Sequence, residues 1–121
     1  MNYAGMTRGN APARVDMRSD TVTRPSQGMI AAMVNADLGD DVYGDDPTVN
    51  ALQEKAAKLL GKEAALLLSS GTQSNLCAML AHCQRGEEIL TGDQYHVFID
   101  EAGGASVLGS IMFAPMPTGE D

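Results

Sequence analysis

Residues 64–68 form an unbroken apolar run, AALLL, that stops at Ser69-Ser70 and turns through Gly71-Thr72-Gln73 into a helical pattern. A continuous apolar run of this length reads as a strand buried on both faces, which is the habit of parallel sheets. When such a strand feeds a helix directly, the turn lies at the carboxyl edge of the sheet, where α/β proteins bind ligands. The first N–H groups of that helix lack intrahelical partners and, with the helix dipole, favour an anion. Gly71 lets a phosphate approach the backbone, and Ser69, Ser70, Thr72 and Gln73 offer side-chain donors. The competing reading is ordinary N-capping by Ser70 or Thr72. The stretch is neither a P-loop, since it has no GK[ST] ending, nor a GxGxxG turn.

The pattern on either side extends the same architecture. VDMRSDTVTRP, residues 15–25, mixes β-branched residues with turn formers and stops at a proline, which predicts an extended segment. Ser26 stands as N-cap for a short helix, with Met29, Ile30 and Met33 at helical spacing. DLGDDVYGDD, residues 37–46, reads as a solvated loop; its five aspartates lack the spacing of an EF-hand, and no metal is expected. Asp46-Pro47 starts a helix whose apolar stripe is Val49, Leu52, Ala56 and Leu59, and Gly61 closes it. A second helix starts near Gly71, with Leu76, Met79, Leu80 and Cys83 inward. Strands follow at 88–90 and 110–113, with a glycine-containing helix at 101–108 between them. Strand, helix, strand, helix, strand is the pattern of a parallel α/β sheet.

Charge and cysteine content narrow the partners. A net charge of −8, with eight Lys and Arg that form no cluster, argues against nucleic acid. Cys77 and Cys83 match no zinc or redox spacing and are expected as two buried thiols. No apolar run approaches the ~20 residues that span a bilayer, and the first thirteen residues lack a signal peptide's apolar region. A cytoplasmic chain with a flexible tail at 1–14 is expected, its remainder, 15–121, forming one domain.

Five blocks, VDMRSDTVTRPS, GDDVYGDDPTVNALQ, GKEAALLLSSGTQSN, AHCQRGEE and the segment from His96 through EAGGASVLGS, resemble in that order the N-terminal part of the low-specificity L-threonine aldolases. These are pyridoxal-phosphate lyases of the aminotransferase-like fold (fold type I), with a parallel-rich sheet flanked by helices in the large domain. The resemblance implies cleavage of L-threonine or L-allo-threonine to glycine and acetaldehyde by retro-aldol chemistry, and a homotetramer with sites at dimer interfaces. It implies that Gly71, Thr72 and Gln73 hold the pyridoxal 5′-phosphate phosphate group. His96 matches the histidine that stacks on the cofactor ring and is a candidate base for the substrate hydroxyl; a bound water or a residue beyond Asp121 is the alternative. Ser19 matches a residue contacting the substrate carboxylate, although it can also be a simple turn residue. Tyr43, in the acidic loop, either reaches a site or packs on its own loop.

The same resemblance exposes a gap. The family's Schiff-base lysine, pyridine-nitrogen aspartate and substrate-carboxylate arginine all follow the stretch matched here. The three lysines present, Lys55, Lys58 and Lys62, sit on or just after an exposed helix. The expectation is therefore the first third of a lyase, truncated at Asp121 and inactive alone. The alternative is a non-catalytic remnant or interaction module.

Overall fold

The computed structural model describes residues 15–119; the tail expected at 1–14 lies outside them. The described residues fall into two compact units, one up to Thr48 and one from Val49 onward.

In the first unit, short polar side chains set the turns. The Ser19 hydroxyl accepts from Thr21 N at 3.2 Å and opens a 3-10 turn, Asp20–Val22. The stretch expected to be extended is thus interrupted, because a serine followed by an aspartate satisfies its own backbone locally. The Ser26 hydroxyl accepts from Met29 N at 3.2 Å, capping α1 (Gln27–Val34). In the acidic loop the Asp40 carboxylate accepts from Val42 N at 2.9 Å and starts a second 3-10 turn, Asp41–Tyr43. Gly44 closes it at φ 71°. Asp46 is buried rather than solvated: its two carboxylate oxygens accept from Thr48 N at 2.9 Å and Gly39 N at 3.1 Å. A Cβ on Gly39 would collide with the Asp45 carbonyl, so this loop requires glycine there.

Helix α2 (Pro47–Leu60) begins at that cap and ends at Gly61, which takes φ 62°. Its buried residue is Ala57, while Leu52 and Leu59 of the expected stripe are 49 % and 75 % exposed. After it, residues 64–68 run without joining a sheet. The strand expected there is absent because no described strand lies beside it to complete a ladder; instead Leu67 N donates to the Gln53 side chain at 2.9 Å.

Helix α3 (Gly71–His82) is followed by β1 (Glu88–Gly92), the one-turn α4 (His96–Ile99), α5 (Gly104–Gly109) and β2 (Met112–Met116). The two strands pair in parallel, from Glu88 opposite Met112 to Gly92 opposite Met116. The second strand runs past Pro115, which stands opposite Thr91, and so extends three residues beyond the expected end at 113. Ala105 and Ile111, each 1 % exposed, anchor this unit. A Cβ on Gly104 would lie 3.6 Å from Leu76, so α3 and α5 approach closely at that glycine. Phe98 meets Phe113 edge-on at 5.8 Å and 75°, fixing α4 to β2. Cys77 is exposed and Cys83 half-buried, against the expectation of two buried thiols. Among the described residues, no helix is long and apolar enough to cross a membrane.

Beyond β1, Asp93 accepts from the Thr118 backbone N–H at 3.1 Å and its hydroxyl at 2.8 Å. The backbone bond, then the hydroxyl bond, hold the Asp93 carboxyl below its ordinary value. A lowered value stabilises the fold above the unfolded carboxylate range and is lost as pH falls through the folded value. Thr118→Ala is expected to raise Asp93 toward the ordinary carboxylate range, because the hydroxyl donor is gone. An NMR titration of the Asp93 carboxyl carbon that shows no change would contradict this.

Candidate functional site

The turn after the apolar run places the N-terminus of α3 in solvent. The Ser70 hydroxyl accepts from Gln73 N at 3.1 Å, and Ser74 N closes on the Ser70 carbonyl at 3.0 Å. That cap contributes about 1 kcal/mol. The Gly71 and Thr72 N–H groups have no acceptor among the described residues. Both residues are exposed, and a Cβ built on Gly71 meets nothing within 4 Å. Capping thus uses Gln73 N, and leaves over the Gly71 and Thr72 N–H groups that the competing anion reading needs.

The donors are fewer than the sequence suggested. The Ser69 backbone N–H and hydroxyl both donate to the Gln73 side-chain carbonyl, at 3.0 and 2.7 Å. Ser69 is consequently spent on the turn, and Gln73 is held with its amide NH2 end left over. Two backbone N–H groups, the Thr72 hydroxyl and the Gln73 amide remain for an anion at a helix N-terminus, and this set fits a phosphate.

His96 opens α4, beyond the end of β1. Its Nδ1 lies 2.7 Å from Glu101 Oε1, and the same oxygen accepts from Asn75 Nδ2 of α3 at 2.7 Å. A carboxylate only accepts, so in this contact His96 Nδ1 is the donor, and Nε2 makes no hydrogen bond among the described residues. The His96 side chain is 64 % exposed and that of Glu101 3 %. Cradle and histidine therefore share a support, since Asn75 stands one turn along from Thr72 on α3.

Glu101 and Asn75 were missed in the sequence. Glu101 was placed at the start of a glycine-containing helix, whereas α5 begins at Gly104 and Glu101 lies in the turn before it. The available signal was Gly103-Gly104: Gly103 takes φ 65°, and a left-handed residue there ends any helix running from Glu101.

Each of the other polar side chains is described within its own element. Ser19, in the first unit, is exposed and caps its own turn. Tyr43 is 79 % exposed in the acidic loop and does not pack on it. His82 is exposed at the last residue of α3. Among the described residues, no group of three His, Cys, Asp or Glu could hold a metal.

Residues 16–121 match the beta-eliminating lyase family. The chain belongs to that family. Its relatives include the low specificity L-threonine aldolase of Escherichia coli K12, 61 % identical over 107 residues, which are 88 % of this chain and 32 % of that protein. Low-specificity L-threonine aldolase 1 of Arabidopsis thaliana is 51 % identical over 98 residues, 80 % of this chain and 27 % of its own. A Cochliobolus carbonum protein named alanine racemase TOXG is 37 % identical over 105 residues, 86 % and 27 % of the respective chains. This beta-eliminating lyase chain thus spans between about a quarter and a third of the length of these relatives, which are named for different activities. The fold class expected from the sequence, the lyase family's α/β type, stands, here as helices around a small parallel sheet.

Proposed function

We propose that this chain is the N-terminal part of a pyridoxal-phosphate-dependent L-threonine aldolase, cleaving L-threonine and L-allo-threonine to glycine and acetaldehyde. The observation that carries the reading is the free helix end at Gly71 and Thr72, tied through Asn75 and Glu101 to a histidine with an available Nε2. Identity of 61 % to an aldolase over this stretch supports it.

Gly71 and Thr72 bind the cofactor phosphate with backbone N–H groups, and the Thr72 hydroxyl and the Gln73 amide add donors. The bound cofactor supplies an electron sink for cleavage of the substrate Cα–Cβ bond. His96 would stand beside the bound cofactor, and its Nε2 would take the substrate β-hydroxyl proton, leaving an imidazolium whose Nδ1–H faces the Glu101 carboxylate. Ser19 is read as a contact to the substrate carboxylate. The exposed Lys55, Lys58 and Lys62 are not placed at the cradle's turn, so the 121-residue segment alone is read as inactive. Exposed apolar residues, among them Leu66 at 73 %, Leu90 at 68 % and Val107 at 76 %, are surfaces for the remainder of a longer chain, working as a cytoplasmic homotetramer.

The test is acetaldehyde release from L-threonine and L-allo-threonine by the full-length protein loaded with cofactor. Release from either supports the reading. Racemisation of L-alanine without acetaldehyde would move it toward the activity named for the fungal relative, and neither reaction would leave the cradle without this chemistry.

A further inference from the structure

We infer that Glu101, tethered by Asn75, is the positioning residue for His96; the inference rests on the reading of His96 as a site residue. Glu101 is 5 % exposed and is the one buried acid among the described residues of its unit. Its Oε1 takes both donors, at 2.7 Å each, while Oε2 is buried with no donor among the described residues. A buried carboxylate with a spare oxygen is a poor structural choice, since an apolar side chain would fill the place without desolvating a charge.

The backbone also departs from its ordinary range to put it there. Ala102 takes φ 53° and Gly103 φ 65°, two consecutive left-handed residues directly after Glu101. A residue with a Cβ rarely adopts that conformation, and here it turns the chain sharply between α4 and α5. Strain of this kind persists where the surroundings over-determine it.

The far partner decides between a structural tie and a positioning role. A bond to an imidazole that is 64 % exposed adds little to stability, because water competes for the same ring nitrogen. It does fix the ring's direction and tautomer: with Nδ1–H given to the carboxylate, Nε2 is the only basic nitrogen, and its lone pair is held in one orientation. Asn75 prevents the carboxylate from turning, and Asn75 belongs to the helix that carries the cradle. Glu101 never touches the substrate in this account; it acts through His96.

The experiment compares Glu101→Leu, Glu101→Gln and Asn75→Ala in the full-length protein, by steady-state kinetics on L-threonine and by crystal structures without cofactor. Glu101→Leu is expected to lower kcat by about 10- to 100-fold, with KM within about twofold and the His96 ring displaced. Glu101→Gln keeps an oxygen that accepts the same two donors and should stay within about threefold of wild type with the ring in place. Asn75→Ala should fall between them. An unmoved ring in Glu101→Leu would overturn the inference, and so would equal kinetic losses in the Leu and Gln variants. Should the Leu variant fail to fold, Asn75→Ala decides, with an unmoved ring and unchanged kcat counting against. A wild-type protein without aldolase activity would sink the proposed function alone, and ring position would still settle the role of Glu101.

Discussion

Gly71→Asp leaves the fold intact and removes cofactor phosphate binding. Gly71 is the first residue of α3, its backbone is not left-handed, and a Cβ there meets nothing within 4 Å. An aspartate in a first helical turn is favourable with the dipole, so stability should rise by about 0.5 kcal/mol. The same carboxylate would lie where the proposed function puts the cofactor phosphate. Two unit charges ~4 Å apart at an effective dielectric of ~20 repel by about 4 kcal/mol, or roughly a thousandfold in affinity. Thermal unfolding of the cofactor-free protein and a spectral titration with pyridoxal phosphate read the two effects separately. Gly71→Asn, of the same size without the charge, should retain most of the affinity. A dissociation constant within about tenfold of wild type for the aspartate variant would place the phosphate elsewhere.

The second large effect is on turnover. His96→Ala should lower kcat on L-threonine by about 10²- to 10⁴-fold, the usual contribution of a positioned acid or base. The fold should tolerate the change, because the imidazole is mostly exposed and Glu101 Oε1 keeps its bond from Asn75. His82→Ala, at the exposed end of α3, is the control and should leave turnover unchanged. Equal effects of the two substitutions would remove His96 from the chemistry.

Legibility in the sequence followed the range of the interactions. Helix α2 could be bounded because its signals are local: Asp46 accepts from a backbone two residues on, and Gly61 needs only its own φ to end the helix. The start of α3 at Gly71 was readable for the same reason, through Ser70. The segment 64–68 was misread as a strand because strandness depends on a neighbour, and apolar composition does not say whether one is beside it. The stripe on α2 was found, but its burial was not, since Leu59 has nothing packed over it among the described residues. Within the site, cradle and histidine carried recognisable neighbours, whereas Glu101 looked like any charged residue on a helix. Its role depends on Asn75, 26 positions earlier in the chain. Nothing in a single sequence announces a pairing across that interval.

Helix α3 works as a ruler. Thr72 and Asn75 are three residues apart on one rigid rod, a rise of about 4.5 Å, and face nearly the same way around its axis. One end of the ruler is the free N–H pair of Gly71 and Thr72, and the other, through Glu101, holds the imidazole. On the proposed function, the distance between phosphate and base would thereby be written into a helical pitch rather than into loop conformations. Inserting a single residue between Thr72 and Asn75 would swing the asparagine by about 100° and break that measure, even if the helix itself remained whole.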